Sequence, residues 1–208
     1  MELASKACND CDTLRVAVAE KEWEIAALRS QIEKLTRHDF LTGALNHKGI
    51  VETLESELQR AHRTGHPFCF AIIALDSFIG PDGSCGKPIG DIVVKSVSET
   101  SIRLLRVLDR FGRLDHERFG IVLPATWPDQ GLIAMQRLST AIAQCGPQTA
   151  APITGITFSG GITTNAVGDT ADRLIERAEK ALQQAQQEGG HRSVLLEVAL
   201  PDMPIIDP

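Results

Sequence analysis

The chain has no long apolar run. Its longest, Phe68–Leu75, falls far short of the roughly 20 residues that cross a bilayer, and Met1–Asp12 carries charges where a signal peptide would have an apolar core. Neither a membrane span nor a membrane surface is implied, and a cytoplasmic location is expected. A basic balance is missing too: 27 acidic residues against 21 Lys and Arg leave a net charge of −6, so nothing in the composition favours nucleic acid. There is no internal repeat and no low-complexity tract. The five cysteines, Cys8, Cys11, Cys69, Cys85 and Cys145, are odd in number and scattered, which excludes a disulfide framework. Cys8-Asn-Asp-Cys11 has metal or redox spacing but supplies two of the four ligands that zinc takes. It reads as two free thiols, or as a bridge between two copies of the chain.

What is present is enough for one globular domain with an appendage: 208 residues, 43% of them hydrophobic. From about Cys11 to Arg37 the pattern is that of a coiled-coil helix without Gly or Pro. Val18, Ile25 and Ile32 share one heptad position, and Leu14, Leu28 and Leu35 the other, a combination that favours a parallel two-stranded coil. Lys21 interrupts the seam at one core position, at some cost in stability and with a gain in register. Glu24 and Arg29 fall where opposite charges on partner helices meet. A homodimer through this helix is expected; the alternative is an amphipathic helix docked on its own domain. Trp23 lies outside both core positions and covers the coil or a partner.

Downstream, strands alternate with helices. Phe68–Asp76 reads as a strand and Gly90–Arg106 as a helix with Val94, Val97, Ile102 and Leu105 inward. Val107–Phe111 and Phe119–Leu123 form a hairpin. Asp129–Cys145 is helical with Leu132, Ile133, Met135 and Leu138 inward. Ile153–Thr163 is a strand, Thr170–Glu188 a helix and Ser193–Val198 the last strand. The class is α/β in two layers. His62 and His66 read as surface residues, and Trp127, between Pro124 and Pro128, as packing a loop. The boundaries are 1–37 for the helix, 38–200 for the domain and 201–208 for a Pro-rich, loose tail.

The stretch Arg106–Phe119, RVLDRFGRLDHERF, together with His38–Asn46, HDFLTGALN, resembles the GGDEF-domain family of diguanylate cyclases over about residues 38–198. That resemblance implies a ferredoxin-like, nucleotidyl-cyclase-type fold. It also implies a bacterial second messenger, cyclic di-GMP. Where the family has Asp-x-Leu-Thr-Gly-Leu-x-Asn-Arg, His47 replaces the Arg. Where it has Gly-Gly-Asp/Glu-Glu-Phe, the chain has Asp115-His116-Glu117-Arg118-Phe119.

The resemblance makes further departures readable. The family's metal-binding Asp at the end of the first strand is Ala74. Glu117 stands at the remaining metal-ligand position, and Arg118 replaces the neighbouring Glu with a cation. Asp115 and His116 add side chains where bare glycine backbone admits the nucleotide. The guanine-contacting Asn is Asp82, while Asp91 matches the second guanine contact. The phosphate-contacting Lys and Arg are Gln186 and Gly190, with Arg192 out of register. A metal-dependent phosphoryl transfer misses these groups, so the expectation is no enzyme, a degenerate cyclase without catalytic residues, metal or cofactor. Asp115, His116 and Glu117 adjoin but alternate faces if the hairpin is extended, which argues against a substitute acid–base chemistry.

The family's inhibitory product site, Arg-x-x-Asp, is matched by Arg106 and Asp109, five residues before the pentapeptide. A guanidinium can hold guanine O6 and N7 together, and a carboxylate can accept from the amino edge. Arg137 matches an auxiliary arginine of some members, often directed at a neighbouring subunit's ligand. Arg-x-x-Asp is also a common helix-end ion pair. The sequence therefore reads as a cyclic di-GMP receptor that signals by dimer or domain rearrangement to a protein partner. The alternatives are a ligand-free dimerisation scaffold, and a remnant site binding GTP through Asp91 and Glu117.

Overall fold

The structure is a computed structural model that describes residues 15–29, 32, 36–76, 87–145 and 156–198. Residues 15–29 form helix α1. Then follow α2 (His47–Thr64), β1 (Cys69–Leu75), α3 (Lys87–Leu104), β2 (Arg110–Arg113), β3 (Arg118–Leu123), α4 (Pro128–Gln144), β4 (Phe158–Thr164), α5 (Ala171–Gln187) and β5 (Ser193–Leu195). The sheet order is β2-β3-β1-β4-β5, antiparallel except for the β4–β5 pair. No helix among the described residues is long and apolar enough to cross a membrane.

β1 explains the layering. All seven of its residues are buried, so it reads as a continuous apolar run rather than an alternating one. Cys69, Ala71, Ile73 and Leu75 pack with Val93, Val94 and Val97 of α3 and Met135, Leu138 and Ile142 of α4. Phe70, Ile72 and Ala74 pack on the other face with Ile50 and Leu54 of α2 and Leu174, Ala178 and Leu182 of α5. The mixed α/β class is as the sequence implies, but helices cover both faces of the sheet, one more layer than expected. On the second face α5 lies directly on β4. A Cβ on Gly161 would stand 2.1 Å from the Ala178 carbonyl oxygen, so only hydrogen fits there.

Local chemistry sets the ends. Asn46 caps α2 by accepting from the Gly49 N–H at 2.9 Å, and Gly65 ends it in the left-handed region at φ 70°. The joint between α1 and the domain is held from several sides. Asp39 accepts from the Thr42 N–H (2.8 Å) and hydroxyl (2.6 Å), and Arg37 pairs with Glu52 at 2.8 Å. The Arg29 guanidinium lies 4.5 Å from the centroid of the Phe40 ring.

Several expectations are corrected. The segment 107–109 is a turn rather than strand: the Asp109 carboxylate accepts from the Arg106 N–H at 2.8 Å and closes it, so β2 begins at Arg110. Ile102 and Ile133 point outward, 49% and 57% exposed, because each lies at the margin of its helix's apolar stripe. Trp127 caps α4 through backbone alone and is 62% exposed instead of packing a loop. His62 and His66 are on the surface as expected. The assigned Cys8, Cys11, Leu14, Leu35, Asp82, Cys85, Ile153 and the tail 201–208 lie outside the described residues.

Candidate functional site

Arg106, Asp109 and Arg137 line one depression of about 230 Å³. Arg106 and Asp109 come from the turn that follows α3, and Arg137 from α4, on the same wall as Gln130, Ile133 and Ala134. Leu104, Leu105, Leu123 and Thr126 complete the lining. The depression thus pairs an apolar floor with two cations.

The Arg-x-x-Asp pair is not a side-chain ion pair. Asp109 Oδ2 accepts from the Arg106 backbone N–H, and the Asp109 N–H donates to the Arg106 carbonyl at 3.0 Å. The guanidinium groups of Arg106 and Arg137 have no partner among the described residues, whereas Arg110 spends its Nη1 on the Val107 and Asp109 carbonyls at 2.7 and 3.0 Å. The carboxylate holds the turn, and the arginines are left for something else.

The signature turn sits at the other end of β2. Residues 114–117 form a loop rather than extended strand, so the expectation of alternating faces does not apply. Asp115 instead closes the loop on itself: Oδ1 accepts from the N–H groups of Glu117 (3.3 Å) and Arg118 (3.2 Å), and Oδ2 accepts from Arg118 Nε. Arg118 also donates to Glu179 Oε1 of α5 at 3.2 Å. Its guanidinium is held above its ordinary range first by the hydrogen bond to Asp115, against desolvation, and then by the charges of Asp115 and Glu179. Ala74, in register with Arg118 and Ser159, is buried beneath this network. His116 and Glu117 are exposed.

Behind β1, Asp76 accepts from Ser159 Oγ and Thr157 Oγ1, each at 2.6 Å. Gly190 stands beside it in the left-handed region at φ 71°. Gln186 is exposed on α5, and Arg192 pairs with Glu188 at 3.2 Å. Asp91 is half-buried on α3. Among the described residues no three His, Cys, Asp or Glu side chains converge as a metal cluster, and Arg118 pairs with Asp115 and Glu179.

Arg113 links this loop to the joint below α2. It donates to the carbonyls of Asp115 (2.8 Å) and His116 (3.0 Å) and to Asp39 Oδ2 (3.4 Å). Sequence reasoning missed Arg113, and also the apolar floor of the depression. The floor was detectable: Gln130 and Ile133 precede Arg137 by seven and four residues and therefore share its helix face. Arg113 has a plain surface-like context in the sequence, and its partner is 74 residues away.

Residues 36–192 match the family model described as diguanylate cyclase, GGDEF domain. The chain is 33% identical over 185 residues to the diguanylate cyclase DgcP of Pseudomonas aeruginosa, a match covering 88% of this chain and 27% of that protein. It therefore spans about a quarter of that relative's length. Among solved structures, diguanylate cyclase SiaD in complex with its activator SiaC, from the same organism, superposes with a TM-score of 0.71 at 22% identity, over 95% of this chain and 75% of that one. The GGDEF domain of DgcB from Caulobacter crescentus in complex with c-di-GMP gives 0.71 at 21% identity, over 77% and 95%.

These comparisons correct one expectation. The reading that the chain is not an enzyme does not stand, since its relatives are named diguanylate cyclases, which are enzymes. Its physical weakness is that it was a count of side chains at fixed positions. A replaced ligand such as Ala74 removes one donor and is not a measurement of turnover.

Proposed function

The chain belongs to the GGDEF-domain family of diguanylate cyclases, and from that premise we propose that it works in cyclic di-GMP signalling by binding the dinucleotide at Arg106 and Asp109, with Arg137 as a third contact. One observation carries the reading: these three residues share a depression of about 230 Å³, and both guanidinium groups lack a protein partner among the described residues. A guanidinium presents parallel N–H donors that suit guanine O6 and N7, or a phosphate. Asp109 Oδ2 is engaged by the turn, which leaves Oδ1 to accept from a guanine amino edge. The leucine floor suits the flat faces of the bases. The DgcB domain, described as a complex with c-di-GMP, has the same fold and supports the choice of ligand.

In this reading the signature positions that depart from the family's pattern, Ala74, Asp115, His116, Arg118 and Gln186, lie apart from the binding role. Two copies pair through α1 in the cytoplasm, and ligand acts by binding one arrangement of the pair better than another. A protein partner receives the change.

The test is isothermal titration of cyclic di-GMP into the wild type and into Arg106→Ala, with product analysis of GTP and Mg²⁺ incubations in parallel. Losing a charge-assisted bidentate contact should weaken binding by about ten- to a hundredfold, with unchanged circular dichroism. Undiminished binding by Arg106→Ala would remove the site assignment.

A further inference from the structure

Trp127 stands at the N-cap of α4 without serving the fold there. Its side chain makes no capping hydrogen bond and is 62% exposed. Ser, Thr, Asp or Asn would cap the helix better, and an indole gains most from burial. No ring contact or cation–π pair among the described residues engages it. Local structure therefore does not account for a tryptophan at this position.

Its surroundings do. Pro128 is the first residue of the helix, so Gln130 is the third, and the side chains of an N-cap and of the third helical residue face each other. Gln130 lines the depression that holds Arg106, Asp109 and Arg137, and so does Thr126, on the other side of Trp127 in the chain. Trp127, Gln130, Ala134 and Arg137 fall at i, i+3, i+7 and i+10, one stripe of the helix. The indole thus extends the helical wall of the depression by one turn. It also borders the buried stripe of Gly131, Met135 and Leu138, but its exposure shows that the core does not take it up.

The leucines of the floor offer a base aliphatic contact only, and the arginines of the walls suit base edges or phosphates. Unpaired bases are held by edge contacts together with an aromatic face. We propose that Trp127 is the stacking platform for one guanine of the dinucleotide, at the rim of the depression where α4 begins. This rests on the reading that cyclic di-GMP binds at Arg106 and Asp109.

The chain has two tryptophans, so Trp23→Phe leaves Trp127 as the one indole emitter. In that protein cyclic di-GMP should quench the Trp127 emission, with the midpoint found by calorimetry, and adding Arg106→Ala should weaken both signals together. Trp127→Leu keeps an apolar side chain without a ring, and should bind about five- to a hundredfold more weakly. Its circular dichroism should be unchanged, because no capping bond is removed. Trp127→Phe should recover most of the loss. Unmoved emission, or undiminished binding by Trp127→Leu, would overturn the proposal, while heat that Arg106→Ala abolishes would keep the site reading. Quenching that survives Arg106→Ala undiminished would also overturn it, since bases would then stack on the indole without the depression. No heat from the wild type would remove both.

Discussion

Among the described residues Arg106 and Arg137 have no partner for their guanidinium groups, whereas Arg113, Arg118 and Arg177 each spend theirs on carboxylates, carbonyls or a hydroxyl. That contrast separates arginines that build the fold from those available to a ligand. Arg177 donates to Asp169 at 2.6 Å, to the Thr163 hydroxyl at 2.6 Å and to the Thr164 carbonyl at 2.8 Å, with both charged side chains largely buried. Arg177→Met strands the Asp169 carboxylate, and chemical denaturation should report a loss of about 3–5 kcal/mol. Gly161→Val forces a side chain into the Ala178 backbone, and should cost about 3 kcal/mol or prevent folding. Cys69 has a thiol pushed from 9.0 to about 12, first by burial and then by the charge of Glu197. A raised folded value means its stabilisation is whole below about pH 9 and is lost as pH climbs toward 12, where the unfolded thiol ionises and the folded one does not. The wild type should therefore lose stability across that window more steeply than Cys69→Ala, as read by thermal melts at stepped pH.

At the scale of elements, β2 is the short span between two differently built turns. The Arg106–Asp109 turn was legible in its residues but not in its shape. Val107 and Leu108 have strand-like side chains, yet they are 92% and 66% exposed because the Asp109 carboxylate closes the chain before a ladder can start. The joint at Asp39–Asn46 and the alternation of strands and helices could be read directly, since periodicity and turn residues are local signals. The helix layers on both faces could not, although the unbroken apolar run of β1 carried the hint. The Arg118–Glu179 bridge and the Arg113–Asp39 bridge span 61 and 74 residues, and no local pattern announces them. Asp109→Asn keeps the turn's acceptor while removing the charge. It should leave the melting temperature near that of the wild type and weaken ligand binding, whereas Asp109→Ala should lower both, the turn by about 1 kcal/mol.

In the whole molecule, helix α1 precedes a domain whose depression of about 230 Å³ is lined by α3, the turn after it, and α4. Val18, Ile25, Leu28 and Ile32 are about half exposed in a single chain, as seam residues awaiting a second helix would be. Light scattering should give twice the 22.5 kDa of one chain, and Ile25→Glu with Leu28→Glu should give one. The position of the dinucleotide decides the central claim. A crystal structure grown with cyclic di-GMP should place a guanine edge within hydrogen-bond distance of the Arg106 guanidinium and Asp109 Oδ1, with Arg137 on the second base or a phosphate. Density at the Asp115–Arg118 loop instead, or no ligand density at saturating concentration, would contradict it.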